Sequence, residues 1–288
     1  MLARENQSLE EHLENVAILT QKHLNKTPYY SLGYILGKAH DLGKKLDEWQ
    51  HYLQNSLNGI SQRKIDHSTA GSQFIFNLYK GNVIGKILSH VIASHHSGLL
   101  NSTGNVSLNS RLQKNVNVPG LNITPVYDID LLNKPSKFSL QFLIRILFSS
   151  LIDADRLDAE KCENINRIRE EKYSLEELYD KFFNNIEIMQ RNCIVNEINK
   201  IRKELYDQCI EKSYMKPGFF TMTIPTGGGK TLSSTAFSFN HSKQNNQDRI
   251  IYLAPYLSIT EQNAQVLRDF TFQDAILEHH SNFDSSND

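Results

Sequence analysis

Ser31-Leu32-Gly33-Tyr34-Ile35-Leu36-Gly37-Lys38-Ala39-His40-Asp41-Leu42-Gly43-Lys44 is the stretch on which the reading of the fold turns. Apolar residues at Ile35, Leu36, Ala39, Leu46, Trp49 and Leu53 keep helical spacing over about Ser31 to Leu53. Gly43 should loosen that run just after His40-Asp41. A histidine and a carboxylate therefore arrive together at a break in an amphipathic helix.

Helical signals extend on both sides. Ser8-Leu9-Glu10-Glu11 reads as a capping box, with Ser8 as N-cap and Glu11 three residues on. Leu9, Leu13, Val16 and Thr20 continue it, and His12 lies within that stripe. A third helix is expected from Asp66 through Ala70, Phe74 and Leu78, and a fourth from Val83 to His96 with Gly98 as its stop. Residues 101–137, rich in Asn and Ser, read as a long loop. Ser139 to Cys162 reads as a fifth helix, apolar nearly all round and so expected in a core.

The 288 residues suggest two domains at about 150 residues each. The formal net charge of −1 removes any argument from a globally basic chain, so a nucleic-acid surface would have to be local. At 39% hydrophobic residues the chain can build a core. No run reaches the length of a membrane helix, and no signal peptide leads the chain. Cys162, Cys193 and Cys209 form no metal or disulfide pattern, which points to a reducing, cytoplasmic setting.

Residues 173–212 are charged and helical and read as a connector. Beyond them Phe219–Ile224 and Arg249–Ala254 read as strands flanking a helix, a βαβ unit opening a parallel sheet. The expected fold is mainly α, an all-α helical bundle over 1–172 followed by a partial α/β domain over 213–288. Between the two strands lies Pro225-Thr226-Gly227-Gly228-Gly229-Lys230-Thr231. Glycines there let backbone N–H groups cradle phosphates at a helix N-terminus. Lys230 would reach the β/γ-phosphates and Thr231 would ligate Mg²⁺.

Eight of the 11 histidines fall between His12 and His96. Their clustering points to metal ligation or acid–base work, since neutral imidazole is a common ligand for transition metals. The candidates are His12, His40, Asp41, His67, His95, His96 and one aspartate of Asp153-Ala154-Asp155. Each falls on or at the end of an expected helix. Asp155 continues the apolar row Ile144, Phe148, Leu151, whereas Asp153 continues the more polar Phe142, Arg145, Ser149, so Asp155 is preferred. His23, His51 and His90 are left out; His23 lies 11 residues past His12, too far along the helix to share an ion. Two divalent ions about 3.5–4 Å apart can activate a water and steady the leaving oxygen of a phosphodiester. A bridging carboxylate suits that spacing, and Asp41 is the candidate.

His40-Asp41-Leu42-Gly43-Lys44 resembles the HD signature of metal-dependent phosphohydrolases. Further strings, Ser8–His12, Trp49–Leu53, His67–Gly71, Ser94–Leu99 and Asp153–Arg156, are similar to the nuclease domain of the CRISPR-associated type I nuclease-helicase. The resemblance implies an all-α HD nuclease that cuts single-stranded DNA with two metal ions. By match, His12, His40, Asp41 and Asp155 would hold one ion, and Asp41, His67, His95 and His96 the other. Lys44 would sit beside the site and contact a phosphate. Manganese, nickel, cobalt or iron is favoured over magnesium. The 225–231 loop resembles that of superfamily-two helicases, with Ile224 where the strict phosphate-loop pattern has glycine. Tyr252–Pro255 with Ser258–Gln262, and Leu277–Ser281, resemble further motifs of the same family.

After Lys230 there is no Asp-Glu pair, no second motor domain and no arginine finger. The resemblance therefore implies a nuclease with only the opening of a motor, one that binds ATP weakly and does not unwind DNA. Its implied partners are single-stranded DNA and an RNA-guided surveillance complex, with no membrane, the chain itself a monomer. Lys44, Lys45, Arg63 and Lys64 could line a strand groove or be ordinary surface. An HD phosphohydrolase of nucleotides and a metal-stabilised binding module remain the alternatives.

Overall fold

The computed structural model describes residues 1–127, 136–163 and 173–280. Residues 128–135 of the long loop, and Ser281 at the end of the 277–281 motif, lie outside the described residues. The chain divides into two compact units, Met1–Ile168 and Arg169–Asp288. It is mainly α-helical, with one two-stranded hairpin among the described residues.

The first unit opens on that hairpin, β1 (Leu2–Arg4) paired antiparallel with β2 (Gln7–Ser8). No alternation over so few residues announces a strand ahead of the Ser8 cap. Helix α1 (Leu9–His23) follows, and the Ser8 side chain accepts from the Glu11 N–H as the cap requires. The expected Ser31–Leu53 helix is two helices, α2 (Tyr30–Ala39) and α3 (Asp47–Leu57), separated by a 3₁₀ turn at Leu42–Lys45. Next come α4 (Ser68–Leu78), α5 (Val83–Ser94), the short α6 (Leu108–Leu112) and α7 (Lys137–Glu163). The N-cap of α4 is His67 and not Asp66, where the helix was expected to start, but Asp66 still accepts from both the N–H and the hydroxyl of Thr69. Gly98 takes a left-handed φ of 78° beyond α5.

The core of this unit is built by Val16 of α1, Ile35 and Leu36 of α2, Ile75 of α4, Leu88 and Val91 of α5, and Leu147 and Leu151 of α7. Helix α7 is not buried all round. Leu143, Leu147, Leu151 and Ala154 face inward, while Phe138 and Phe142 are exposed. A single apolar stripe suffices where a helix packs on one side only.

Two glycines bring backbones close enough to gather the histidines. A Cβ on Gly43 would collide with the carbonyl of His67, and one on Gly71 with the carbonyl of Ala39. The obstacle is backbone in both cases, so no side-chain rotation relieves it. Gly71→Ala is expected to cost about 1–3 kcal/mol or more, as overpacking does, read as a lowered midpoint in urea unfolding.

In the second unit α8 (Leu175–Arg191) and α9 (Glu197–Lys212) precede α10 (Lys230–Gln244) and α11 (Leu257–Phe270). Phe182 and Ile186 of α8 form a buried cluster with Ala236 and Phe239 of α10. Residues 173–212, expected as a connector, thus supply core to this unit. The two expected strands are not formed: 219–224 and 249–254 carry no strand pairing. Phe219, Ile251 and Leu253 are exposed. A strand needs a hydrogen-bonded neighbour, and an apolar β-branched run does not supply one by itself.

Candidate metal centre

Helix ends and helix faces deliver the histidine–aspartate cluster. His12 projects from the first turn of α1, and His40 caps the C-terminus of α2 with Asp41 next to it. His67 precedes α4, His95 caps α5 with His96 following, and Asp155 lies on α7. His12, His40, Asp41, His67 and His95 are all buried.

Asp41 stands at the centre. Its Oδ2 lies 3.2 Å from His12 Nε2 and 3.4 Å from His40 Nε2. Its Oδ1 lies 3.3 Å from His67 Nε2 and 3.2 Å from His95 Nε2. Each oxygen of one carboxylate thus faces its own pair of imidazoles. Asp155 Oδ1 joins the first pair, 3.6 Å from His12 Nε2 and 3.9 Å from His40 Nε2. His96 joins the second, its Nε2 2.7 Å from that of His67. The result is two sets, His12–His40–Asp41–Asp155 and Asp41–His67–His95–His96, with the ligand atoms of each within 4.8 Å of one another. Lys44 reaches the same carboxylate, Nζ 2.7 Å from Asp41 Oδ2, and lies 5.0 Å from the centre of the Trp49 ring.

The residues fit divalent cations. His40 Nε2 is buried without a hydrogen-bond partner, although a buried polar atom without one is costly. It points into the first set. Imidazole nitrogens with carboxylate oxygens form a donor set that suits transition metals. The remaining ring nitrogens are anchored: Nδ1 of His40 meets Gly37 O at 2.8 Å and Nδ1 of His95 meets Ile92 O at 2.7 Å. Burial alone would raise the Asp41 carboxyl. His40, Lys44 and His12 outweigh that and hold it well below the usual carboxylate range. The His96 residue is exposed at its surface, but its ring is partly desolvated against His95 and His67, which lowers it to about 3.

The two aspartates of Asp153-Ala154-Asp155 lie apart in space. Asp155 is in the first set, while the Asp153 side chain is largely exposed and 3.6 Å from His23 Nε2. Asp158 was not among the expected site residues. This carboxylate is buried and takes His12 Nδ1 at 2.6 Å, with Arg4, Gln7 and Asn15 around it. Its signal was the spacing one turn beyond Asp155 and Ala154, on the inward row of α7.

Burial would raise the Asp158 carboxyl, but hydrogen bonds from His12, Gln7 and Asn15 bring it down to about 2. A carboxylate lowered by folding contributes stability that is complete above its unfolded value and is lost as pH falls through its folded one. Between the ordinary 3.8 and about 2, the first unit should therefore lose stability. Asp158→Asn, followed by circular dichroism, should show a shallower acid transition across that window.

In the second unit, the glycine-rich turn opens α10. Gly227 and Gly229 have φ of 80° and 83°, left-handed values that glycine adopts freely. Gly229 is the N-cap of α10, so the helix N-terminus, Lys230 and Thr231 follow the turn directly. Arg202 Nε donates to Gly227 O at 2.8 Å, and Thr231 Oγ1 donates to Asn263 Oδ1 at 3.1 Å. Both bonds brace the loop from neighbouring helices.

A glycine-rich turn that enters a helix through Gly-Lys-Thr has the build of a phosphate-binding loop. Residues 184–286 match the family model described as Type III restriction enzyme, res subunit. That match indicates a superfamily-two helicase-type domain over this part of the chain. No curated protein sequence matches the chain. Among the described residues no helix is long and apolar enough to cross a membrane.

Proposed function

We propose that the first unit is an HD-type nuclease that cuts single-stranded DNA with two divalent ions, joined to a helicase-type motor segment, in type I CRISPR antiviral interference. The observation that carries this reading is Asp41, whose two carboxylate oxygens each face a separate ligand set. The ions would supply an activated water and neutralise charge on the leaving oxygen of a phosphodiester. Asp41 would bridge them. His12, His40 and Asp155 would complete one site, and His67, His95 and His96 the other. Lys44, with Nζ 2.7 Å from Asp41, places a positive charge where a backbone phosphate would be held. His96 is the exposed member of the set and marks the side on which a strand would enter.

In the second unit Thr226, Gly227, Gly228, Gly229, Lys230 and Thr231 would hold the ATP phosphates. The helicase-type match supports a nucleic-acid substrate over a free nucleotide. An RNA-guided surveillance complex that displaces a DNA strand is the partner this reading calls for. The test offers circular single-stranded DNA and free nucleotides to the full chain with Mn²⁺, Ni²⁺, Co²⁺ or Mg²⁺. Linearisation of the circle with a transition metal is the expected result. Hydrolysis of nucleotides with intact circles would replace the nuclease by a nucleotide phosphohydrolase.

A further inference from the structure

The charges behind the two ligand sets are unequal, and one residue makes the difference. Of His12, His40, His67 and His95, the last three direct Nδ1 at backbone carbonyls, those of Gly37, Ile65 and Ile92. His12 directs Nδ1 at a carboxylate, Asp158 Oδ2, at 2.6 Å. Asp158 is buried on α7, and Arg4, Gln7, His12 and Asn15 all reach it from the first 15 residues. Arg4 donates to Oδ2 at 3.2 Å and Asn15 Nδ2 to Oδ1 at 2.8 Å. Gln7 Nε2 donates to both oxygens, at 3.1 and 2.9 Å. The Gln7 amide is fixed in that sense because its Oε1 accepts from Arg4.

We infer that Asp158 is a positioning residue that holds the His12 proton on Nδ1, aims Nε2 at Asp41 and Asp155, and makes their set the tighter of two divalent-cation sites. The inference rests on the metal-centre reading above. An ionised carboxylate only accepts, so the short contact places a proton on His12 Nδ1 and leaves Nε2 as the ligating nitrogen. A carboxylate behind a ligating histidine also raises its basicity, and losing such a partner typically costs about 10–100-fold in metal affinity. The first set then has carboxylates at Asp41 and Asp155 with Asp158 behind them, partly offset by Arg4, 3.3 Å from Asp155, and by Lys44, 2.7 Å from Asp41 Oδ2. The second has Asp41 with three imidazoles. The hairpin β1–β2 acquires a purpose from this arrangement, since it carries Arg4 and Gln7 to Asp158.

The experiment titrates the full chain with Mn²⁺ and with Co²⁺ by calorimetry, comparing wild type, Asp158→Asn and His67→Ala. The asparagine leaves one acceptor oxygen and turns an amide N–H₂ toward amides that also donate. It should weaken one of two sites by about 10–100-fold and spare the other, whereas His67→Ala should weaken the other. Imidazole ¹⁵N shifts of the metal-free wild type at alkaline pH should show His12 as the Nδ1–H form, a readout that needs no variant to fold. Two sites unchanged in Asp158→Asn, both weakened equally, or His12 in the Nε2–H form would overturn the inference. Wild-type protein that binds neither metal would overturn the metal-centre reading itself.

Discussion

Asp41→Ala should abolish metal-dependent cleavage of single-stranded DNA, a loss on the order of 10³-fold or more. The estimate follows from the several kcal/mol of charge stabilisation that bound ions supply to a phosphoryl transition state. Among the described residues Asp41 alone belongs to both ligand sets; it lies against His12 and His40 through one oxygen and His67 and His95 through the other. Removing it would also leave the Lys44 ammonium without its carboxylate at 2.7 Å. The isosteric Asp41→Asn separates these effects. It keeps the volume of the buried position but gives up the charge and one acceptor oxygen, and it should be nearly as inactive in a plasmid or circular-strand assay. His23→Ala is the control: this histidine lies away from the cluster, its Nδ1 on the Ser150 carbonyl at 3.3 Å, and its loss should leave cleavage unchanged.

The second large effect is on stability. Five buried side chains crowd their polar atoms into one place, with imidazole nitrogens aimed at each other and at one carboxylate. A ligand that binds only the folded state stabilises it by about 2.7 kcal/mol at 100 times its dissociation constant. Two such ions would contribute roughly 5 kcal/mol, which for a unit of this size is a rise in melting temperature of about 10 °C or more. Differential scanning calorimetry should show the rise on adding Mn²⁺ or Co²⁺ and its reversal by a chelator. The transition of the second unit should stay in place, since its glycine-rich turn and helices hold no residue of either ligand set. Asp41→Ala should remove most of the rise.

The cluster was largely legible in the sequence because periodicity does the work. His12 sits in the stripe of Leu9, Leu13 and Val16, all of which are buried. Asp155 could be told from Asp153 because only one of them continues the apolar row of α7. The glycine after His40-Asp41 marked the break that became the 3₁₀ turn at Leu42–Lys45. Other features depended on contacts between distant residues and left little local trace. Asp158 reads as one more charge near the end of a helix, and its partners Gln7 and Asn15 are 151 and 143 residues away. The hairpin at Leu2–Ser8 is held from outside as well, by Gln50, which bonds both the N–H and the carbonyl of Leu2. In the second unit the failure runs the other way. Phe219–Ile224 and Arg249–Ala254 have the composition of strands, but composition reports a tendency and not a partner. The helical part of that unit was understated, since Phe182 and Ile186 looked like weak stripes on a charged connector and are core residues.

The account stands on one carboxylate serving two cations, and the direct measurement is the number of ions bound per chain. Purified protein loaded with Mn²⁺ or Co²⁺ and freed of excess metal would be analysed by elemental mass spectrometry, beside Asp41→Ala and His67→Ala. The prediction is two ions for the wild type, one for His67→Ala and none retained by Asp41→Ala. A wild-type chain that retains no ion, or an Asp41→Ala chain that still retains two, would contradict it.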